Sequence, residues 1–570
     1  MTDPLPVNTA TTNTTTLAGR TAFVSLLASE GVALMFGNPG TTELAIMQAL
    51  TEQSQIGYVL GLQESIVVGM ADGYARASGR LAACNVHVAP GLGNALGALY
   101  NAKFFGSPVL VTAGQQEQGF GLTEPMLYDA LVPMAAPYVK WAIEVTRVQD
   151  LPRIIRRAAK VALTPPTGPV FLSLPGDILD ASAELDLGAP TRVAAANRPN
   201  DDLIAQLAAA LQGAQRPVII AGHELATREA FGEASELANL LGIPVYQQTV
   251  PTGAHFPSEH PAYMGWISRS QPQVRAVLEQ HDLLLLLGAE QLRMAVSNRI
   301  EALPNGLRIV QISERDWELG KNYPTELAVL ANVRETLRAL NATLTRAQTA
   351  TTREVAAQRL RALAADNWTA RRRRAIDDGV QLASVRPFDP RFLMMRLVEC
   401  LPRDVVVVDE GLTSTASLLN FLPYRDSQGY YGLASGGIGF AIAGAIGISL
   451  ALRPRPVVAI IGDGSAMYSI QALWTAANMK LPIVYVIANN RGYRIIKERM
   501  KSMRGSEHFL GMDFCDPEID FVALAESMGV PALRLTEAEQ IGPAMATALG
   551  RAGPTLLEVM VADGFGGPPR

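Results

Sequence analysis

The length, composition and charge of the chain describe a large globular protein and exclude several other classes. Its 570 residues are too many for one hydrophobic core and suggest three domains of ordinary size. Hydrophobic residues make up 48% of the chain, yet no apolar run reaches the length of a membrane span. A net charge of −5 gives no electrostatic reason to bind nucleic acid. Because the three cysteines are unclustered and the N-terminus is polar and unlike a signal peptide, we expect a cytoplasmic protein without a disulfide framework or zinc site.

The first part of the chain predicts a tail followed by an α/β domain. Residues 1–16 are rich in Thr and Asn and predict a disordered tail. From residue 17 to 187, short apolar runs alternate with helical apolar spacing, which indicates a doubly wound parallel sheet. The predicted strands are Ala33–Phe36, Leu81–Val86, Pro108–Thr112 and Val170–Ser173. The predicted helices are Ala22–Ser29, a helix capped by Thr42, Gln63–Ser78 and Gly93–Phe105.

Two further α/β domains follow. Residues 200–344 predict a Rossmann-like middle domain with strands at Pro217–Ala221, Ile243–Gln247, Asp282–Leu287 and Leu307–Ile312. No G-x-G-x-x-G follows the first of these strands, so no independent dinucleotide site is predicted. A helical linker at residues 345–379 leads to a third domain at 380–562 and a C-terminal tail at 563–570. The predicted fold class is therefore α/β with three doubly wound parallel-sheet domains.

The third domain contains the most informative stretch of the sequence. Val457–Ile461 and Ile483–Ile487 are short, β-branched apolar runs, and Tyr468–Met479 between them has helical apolar spacing. This pattern predicts a β-α-β unit, whose parallel strands end at the same sheet edge. Asp463 and Asn490 follow the two strands directly, so we expect them to lie side by side. Their oxygens are hard ligands suited to Mg²⁺ beside a diphosphate, which the neighbouring glycines would let approach the backbone.

Strand–GDGS–helix–strand–NN resembles the signature of thiamine diphosphate (ThDP) enzymes. Other segments resemble benzoylformate decarboxylases in particular, and acetolactate synthase-like proteins more distantly. The resemblance implies that the first domain binds the pyrimidine ring of ThDP and the third binds its diphosphate. The segments that carry it are FGNPGTTEL (Phe36–Leu44), LQESIVVGMADGYARASG (Leu62–Gly79), NVHVAPGLGNALGAL (Asn85–Leu99), VTAGQQ (Val111–Gln116), GGIGFAIAGAIG (Gly436–Gly447) and IGDGSAMYSIQALWTAA (Ile461–Ala477).

The resemblance implies ThDP and Mg²⁺ as cofactors and gives roles to individual residues. The metal ligands would be Asp463, Asn490 and the backbone carbonyl of Gly492. The catalytic residues would be Glu64, His87 and Thr41, with Thr41 placed to hold a substrate carboxylate. The cofactor-binding residues would be Glu64, Thr413, Gly436, Ile438, Gly462, Gly464, Ser465 and Asn490.

Two of these residues have a second explanation. The carboxyl of Glu64 would bond to ring atom N1′ of the aminopyrimidine, and an apolar pocket would hold it partly protonated for that role. Taken alone, Glu64 is also explained as a glutamate favoured at the start of a helix. Ile438 would wedge the cofactor into a bent shape. It is also explained as an ordinary residue of the hydrophobic core.

The chain departs from the benzoylformate decarboxylase pattern in the middle domain. That family carries a second active-site histidine just after the strand equivalent to Leu283–Leu287, and Ala295 or its neighbour stands there in this chain. Without this histidine, we expect less efficient protonation after decarboxylation. The first hypothesis is non-oxidative decarboxylation of a 2-oxoacid to an aldehyde. The second is a carboligase or lyase, such as an acetolactate synthase-like carboligase or a 2-hydroxyacyl-CoA lyase acting on a 2-hydroxyacyl thioester. A third is a catalytically inactive structural subunit, which intact Glu64, Asp463 and Asn490 disfavour.

The remaining candidates concern the surface and the assembly. His223, His255, His260 and His281 have no metal-ligand spacing, and we expect them in surface or turn positions. The segment Tyr493–His508 is basic and amphipathic and would border the site. Its Arg494, Lys497, Arg499 and Lys501 would receive an anionic substrate or a CoA phosphate, or form a solvated helix face. The resemblance also implies a homodimer or homotetramer, with each site shared between two subunits.

Overall fold

A computed structural model describes residues 14–295 and 298–565 of the chain. These residues divide into two compact units. The first contains the described residues up to Val193 except Ala77–Gly79, and the second contains Ala77–Gly79 and the residues from Ala194 onward.

The first unit is built on one parallel sheet. Its strands are β1 (Thr15–Ala18), β2 (Leu34–Gly37), β3 (Gly57–Leu60), β4 (Ala82–Val86), β5 (Val109–Gln115), β6 (Ala142–Glu144), β7 (Val170–Pro175) and β8 (Ser182–Leu185). Its helices are α1 (Gly19–Ser29), α2 (Leu44–Glu52), α3 (Glu64–Ser78), α4 (Val88–Phe105), α5 (Leu131–Ala135), α6 (Leu151–Leu163) and α7 (Gly176–Asp180).

The strand order places the loops that matter for the site. Strands run in the order β3-β2-β4-β5-β7-β6, all parallel, while β1 and β8 form a separate antiparallel pair. Because β2 and β4 are neighbours, the loops that follow them meet at one sheet edge.

Three local predictions in this unit need correction. Thr15 and Thr16, expected in the tail, pair with β8, whereas residues 1–13 of the predicted tail lie outside the described residues. Thr42 does not cap a helix, because it lies inside a short 3₁₀ turn (Thr41–Glu43) and its hydroxyl donates to Glu43 Oε1 at 2.7 Å. The helix expected from Gly93 already begins at Val88, so the loop after β4 is a single residue, His87.

The second unit contains the other two parallel sheets and the connector between them. The elements of the middle domain are α8 (Asp201–Gly213), β9 (Pro217–Ala221), α9 (His223–Thr227), α10 (Phe231–Leu241), β10 (Val245–Gln247), β11 (Tyr263–Trp266), α11 (Gln271–Leu278), β12 (Leu283–Leu287), β13 (Arg308–Ser313), β14 (Leu327–Leu330) and α12 (Val333–Ala347). The connector consists of α13 (Ala350–Leu363) and α14 (Trp368–Val380).

The middle sheet has the order β11-β10-β9-β12-β13-β14 and is parallel throughout. Its central strand β12 is five leucines, all buried, which pack alternately into hydrophobic clusters on the two faces. The strand order reverses between β9 and β12, where such sheets open a ligand crevice. Here the two following loops bond directly, with Glu224 N donating to the Gly288 carbonyl at 3.2 Å.

The third domain completes the chain. Its elements are α15 (Pro390–Cys400), β15 (Val406–Glu410), α16 (Leu418–Phe421), β16 (Tyr430–Gly432), α17 (Phe440–Leu452), β17 (Val457–Gly462), α18 (Asp463–Ala466), α19 (Ala472–Asn478), β18 (Ile483–Asn489), α20 (Arg494–Arg504), α21 (Phe521–Ser527), β19 (Ala532–Leu535), α22 (Ala538–Leu549) and β20 (Thr555–Met560). The strand order is β16-β15-β17-β18-β20-β19, all parallel. Together the three sheets confirm the predicted fold class.

Two helices of this domain show how sequence pattern and packing relate. The first ten residues of helix α17 are all buried, which is why the helix is apolar on every side. Tyr485 of β18 donates to the carbonyl of Ile442 in this helix at 3.5 Å. The single helix expected at Tyr468–Met479 is wrong. Several amides between α18 and α19 bond to carbonyls three residues back, which gives tight turns instead of a continuous α-helix.

None of the helices in residues 14–295 and 298–565 combines the length and apolar character that crossing a membrane requires.

Candidate active site

The third-domain motif brings two oxygens together at the edge of the sheet. Strands β17 and β18 are paired in register up to Gly462 and Ala488, so the residues after them emerge side by side. The Gly492 amide donates to Asp463 Oδ2 at 2.9 Å and to Asn490 Oδ1 at 3.1 Å. Both oxygens therefore lie within hydrogen-bonding distance of one nitrogen, as the strand pattern predicts. Their role as metal ligands stays a prediction.

The chemistry of this oxygen pair suits a hard divalent ion. Asp463 is only 3% exposed, and burial raises the pKa of its carboxyl to about 6. A buried carboxylate has lost its hydration, so a bound cation would stabilise its charged form. Among the described residues no three His, Cys, Asp or Glu side chains form a metal cluster. One carboxylate, one amide oxygen and one backbone carbonyl would instead be supplemented by diphosphate and water, as Mg²⁺ prefers.

The loop that carries Asn490 and Gly492 is held by a distant segment. Gly492 forms an antiparallel bridge with Asp513, and Tyr493 N donates to the Met512 carbonyl at 2.9 Å. Lys497, in the first turn of α20, is 2% exposed and pairs with Asp513 and, at 3.5 Å, with Asp563. The buried ammonium is thus committed to two carboxylates. The expectation that Lys497 receives an anionic substrate is wrong.

The residues predicted to hold the diphosphate surround the same loop. Ser465 is buried in α18, directly after Gly462, Asp463 and Gly464. Thr413 is partly buried in the turn after β15. Its neighbour Ser414, which the sequence did not single out, accepts from Asn490 Nδ2 at 3.5 Å.

The turn before α17 is fixed by a buried carboxylate. Gly436 and Gly439 have positive φ values of 88° and 110°, and Ile438 between them is partly exposed, so it is not an ordinary core residue. Glu410 at the end of β15 accepts from the Gly439 amide and from Ala441 N, the latter at 2.6 Å. Glu410 therefore fixes the backbone that directly follows Ile438.

Glu64 occupies the predicted place in the first unit. It is the first residue of α3, and its Oε2 accepts from Asn94 Nδ2 at 3.1 Å. The carboxyl is partly exposed. In this unit its surroundings are more polar than the apolar pocket expected from the sequence.

His87 is oriented by a carboxylate that sequence reasoning missed. Its Nδ1 donates to Oε2 of Glu43 at 2.8 Å. Glu43 is fully buried, and it also accepts from Gly40 N at 2.8 Å and from Gly114 N at 2.9 Å. Because Nδ1 carries the proton in this bond, Nε2 of neutral His87 is left as the basic nitrogen.

This contact requires two glycines. A Cβ on Gly40 would lie 2.1 Å from His87 Nδ1, and one on Gly114 would lie 2.1 Å from Glu43 Oε1. The signal in the sequence was strand adjacency: Glu43 and His87 follow β2 and β4, which are neighbours. Thr41, the predicted substrate-binding residue, is exposed beside this pair.

The middle-domain histidines differ from the expectation. His223 and His255 are 7% and 0% exposed, so they are not surface residues, and burial holds the pKa of His223 well below its usual range. His260 packs the edge of its ring on Phe256 with centroids 5.2 Å apart. His281 is partly buried and donates to the Arg216 carbonyl at 3.1 Å. The expectation of a surface position is therefore wrong for His223 and His255, whereas His260 lies in a turn and His281 stays partly exposed.

The domains match known domain families in order. The thiamine pyrophosphate enzyme N-terminal TPP binding domain matches residues 17–125. The central domain of the same enzymes matches residues 204–340, and the C-terminal TPP binding domain matches residues 413–559.

Whole-chain relatives agree with the domain matches. Benzoylformate decarboxylase of Pseudomonas aeruginosa is 33% identical over 94% of this chain and 98% of its own length. Acetolactate synthase 1 of Oryza sativa is 27% identical over 95% of this chain and 84% of its own. The structure of the ThDP-dependent 4-hydroxybenzoylformate decarboxylase of Rhodococcus jostii RHA1 superposes with a TM-score of 0.86 at 32% identity, covering 96% of this chain and 99% of that one. The chain therefore belongs to the thiamine diphosphate-dependent enzymes related to benzoylformate decarboxylases and acetolactate synthases.

Proposed function

We propose that this protein uses ThDP and Mg²⁺ to decarboxylate a 2-oxoacid without oxidation and to release an aldehyde. Support comes from the relatives named decarboxylases and from the oxygen pair of Asp463 and Asn490, whose chemistry suits Mg²⁺. When bound, ThDP supplies the electron sink that accepts the bonding pair as CO₂ leaves.

The observation that carries the proposal is the Glu43–His87 pair. Decarboxylation to an aldehyde consumes one proton at the carbon that lost CO₂, so the protein must deliver it. His87 is held through Nδ1 at 2.8 Å from Glu43, which leaves Nε2 to take up a proton and pass it on. Thr41, exposed in the turn that carries Glu43, offers a hydroxyl for the substrate carboxylate.

A carboligase or C–C lyase is the second candidate, and Ala295 favours it. The benzoylformate decarboxylase pattern has a histidine at or beside this position, and alanine cannot transfer a proton. Slower protonation would give a second electrophile, such as an aldehyde or 2-oxoacid, time to react. The reverse reaction would cleave a 2-hydroxy ketone or a 2-hydroxyacyl thioester.

Product analysis separates the two candidates. We expect aldehyde release from an aromatic or branched 2-oxoacid, with little cleavage of 2-hydroxyacyl thioesters. His87→Ala should lower aldehyde release by about a hundred- to ten-thousandfold. Ala295→His should raise aldehyde release relative to ligated product. Ligation or thioester cleavage that exceeds aldehyde release in the wild type, with product ratios unchanged in both variants, would favour the second candidate.

We also propose that the active unit is a homodimer or homotetramer in which the pyrimidine-binding and diphosphate-binding domains of one site come from different subunits. The support is the family arrangement implied by the sequence motifs that carry Glu64 and Asp463.

A further inference from the structure

A cavity of about 380 Å³ lies in the second unit between the β11–α11 turn and helix α20. Arg269 and Ser270 line it from the turn, and Arg499 lines it from α20. No predicted cofactor ligand contributes to its wall.

The cavity wall carries positive charge alone. Its two ionisable side chains are the guanidinium groups of Arg269 and Arg499, and no carboxylate lines it. Over residues 14–295 and 298–565, neither arginine takes part in an ion pair. Although Arg269 is exposed overall, partial desolvation, followed by repulsion from Arg499, lowers its pKa, so the two cations affect each other electrostatically. An anion between them would relieve this repulsion.

Hydrogen-bond donors add to the charge. Helix α11 begins in the wall at Gln271, and its N-cap residue Ser270 does not use its side chain to cap the helix. Pro272 in the first turn has no N–H, but the other free amides of that turn and a serine hydroxyl can donate to an oxyanion. The amide group of Asn298 lines the same cavity.

A second cavity in the same unit provides a contrast. It measures about 550 Å³, and its wall contains both acids and bases. Arg293 pairs with Glu290 at 2.8 Å, and Lys321 pairs with Glu318 at 3.0 Å. Both cations are already paired with carboxylates, and Glu301 leaves the wall with one further acid, so we expect anion binding only at the first cavity.

The cavity is connected to the predicted metal loop through a short helix. Helix α20 starts at Arg494, two residues after Gly492, and Arg499 lies five residues further on. At 1.5 Å per residue, Arg499 is about 8 Å along the helix from its start. The same helix therefore contributes a residue to the cavity wall and follows directly on the predicted metal loop.

We propose that the Arg269–Arg499 cavity binds an oxyanion, carboxylate or phosphate, at the distal end of the substrate. This inference rests on the proposed function for the identity of the reacting end, a 2-oxoacid or a 2-hydroxyacyl thioester. It adds that the preferred substrates carry a second anionic group.

Binding of a small anion tests the cavity without turnover. Inorganic phosphate is titrated calorimetrically into the holoenzyme saturated with ThDP and Mg²⁺, for the wild type, Arg269→Gln and Arg499→Gln. Arg504→Gln is the matched control, since Arg504 is an exposed arginine of the same helix that does not line the cavity. We expect saturable binding in the wild type and the control and its loss in both cavity variants. Equal binding in all four proteins would overturn the proposal.

Kinetics then identify the source of the anion. The panel pairs each uncharged-tail 2-oxoacid with an analogue bearing a distal carboxylate or phosphate, and adds a 2-hydroxyacyl-CoA. Each arginine variant should raise KM for the charged members about tenfold or more, because one charge-assisted hydrogen bond is lost. KM for the uncharged-tail analogues should stay the same. The anion type most affected identifies the natural group.

The two proposals fail in different ways. If phosphate binding depends on both arginines but no 2-oxoacid turns over, the cavity assignment stands and the proposed decarboxylation fails. If 2-oxoacids turn over and the cavity variants behave like Arg504→Gln with charged substrates, the cavity assignment fails and the decarboxylation stands.

Discussion

Glu43 lies fully buried with its Oε2 2.8 Å from Nδ1 of His87, and the same carboxylate accepts two backbone amides. The carboxylate thus fixes both the tautomer of the histidine and the loop that carries Thr41.

Glu43→Gln should reduce turnover by about ten- to a hundredfold, as loss of a partner that orients a histidine typically does. It should also lower the free energy of unfolding by about 1–3 kcal/mol, because an amide offers fewer acceptors to the buried donors. Turnover and urea unfolding measure the two effects separately. If Glu43 acts through His87, the double variant with His87→Ala should be no slower than His87→Ala alone. Losses that multiply would show an independent role.

Glu64→Gln should slow hydrogen–deuterium exchange at C2 of bound ThDP by orders of magnitude while the variant still binds the cofactor. The amide keeps the shape of the side chain and its contact with Asn94 but cannot serve as an acid toward N1′. Exchange is measured by acid-quench NMR and binding by titration calorimetry. Exchange at the wild-type rate would remove Glu64 from activation of the cofactor.

Removal of the metal should abolish activity. Chelation followed by desalting strips an ion held by Asp463 and Asn490, and ThDP with Mg²⁺ together should restore turnover where neither alone does. Asp463→Asn should weaken Mg²⁺ binding, measured by calorimetry in the presence of ThDP, because the buried carboxylate supplies the only protein charge of the oxygen set. Activity that survives removal of both cofactors would contradict the assignment.

Glu410 should make the stability of the cofactor-free protein fall with rising pH. Burial raises the pKa of its carboxyl from the ordinary 4.5 to about 7, so the folded state binds the proton more tightly than the unfolded state. Its contribution is fully present below pH 4.5 and is lost as pH rises through about 7, a change of about 3 kcal/mol.

Urea unfolding between pH 4.5 and 8 checks this slope. Glu410→Gln should flatten it, and Glu526→Gln, a change at an exposed residue of the same domain, should not. An identical slope in the wild type and Glu410→Gln would show that another group is responsible.

Hybrid dimers should recover activity if each site is shared. Glu64→Gln and Asp463→Ala subunits are each inactive alone, but a mixed dimer contains one site with both residues intact. Activity should therefore reappear on mixing, up to about a quarter of the wild type for statistical exchange into dimers. Subunit exchange proven by mass-tagged chains, without recovery, would place both residues of a site in one chain.

The sequence predicted the parts of this structure that follow from strand order. Asp463 and Asn490 each follow a buried apolar run, and adjacency of parallel strands is enough to bring them together. The same adjacency brings Glu43 beside His87, but Glu43 lies in a 3₁₀ turn whose sequence has no clear pattern.

Other features depend on contacts that no local pattern contains. Lys497 has the sequence surroundings of a solvated helix face, but it is buried and pairs with Asp513 and Asp563 from later parts of the chain. His255 likewise has no signal of burial in its sequence surroundings, yet it is fully buried, with Nε2 3.2 Å from Thr252 Oγ1. The break in the predicted Tyr468–Met479 helix arises from turn geometry that apolar spacing does not encode.

The bridge between Gly492 and Asp513 bears on the order in which the protein is made. Residues 490–492 emerge from the ribosome well before Asp513, and Asp563, the second partner of Lys497, is synthesised 71 residues after Gly492. The loop proposed to hold the metal therefore cannot reach its final form while its own strand and helix are the newest parts of the nascent chain. Cofactor capture should be a late event in biosynthesis, completed only when the strand after α22 has joined the sheet.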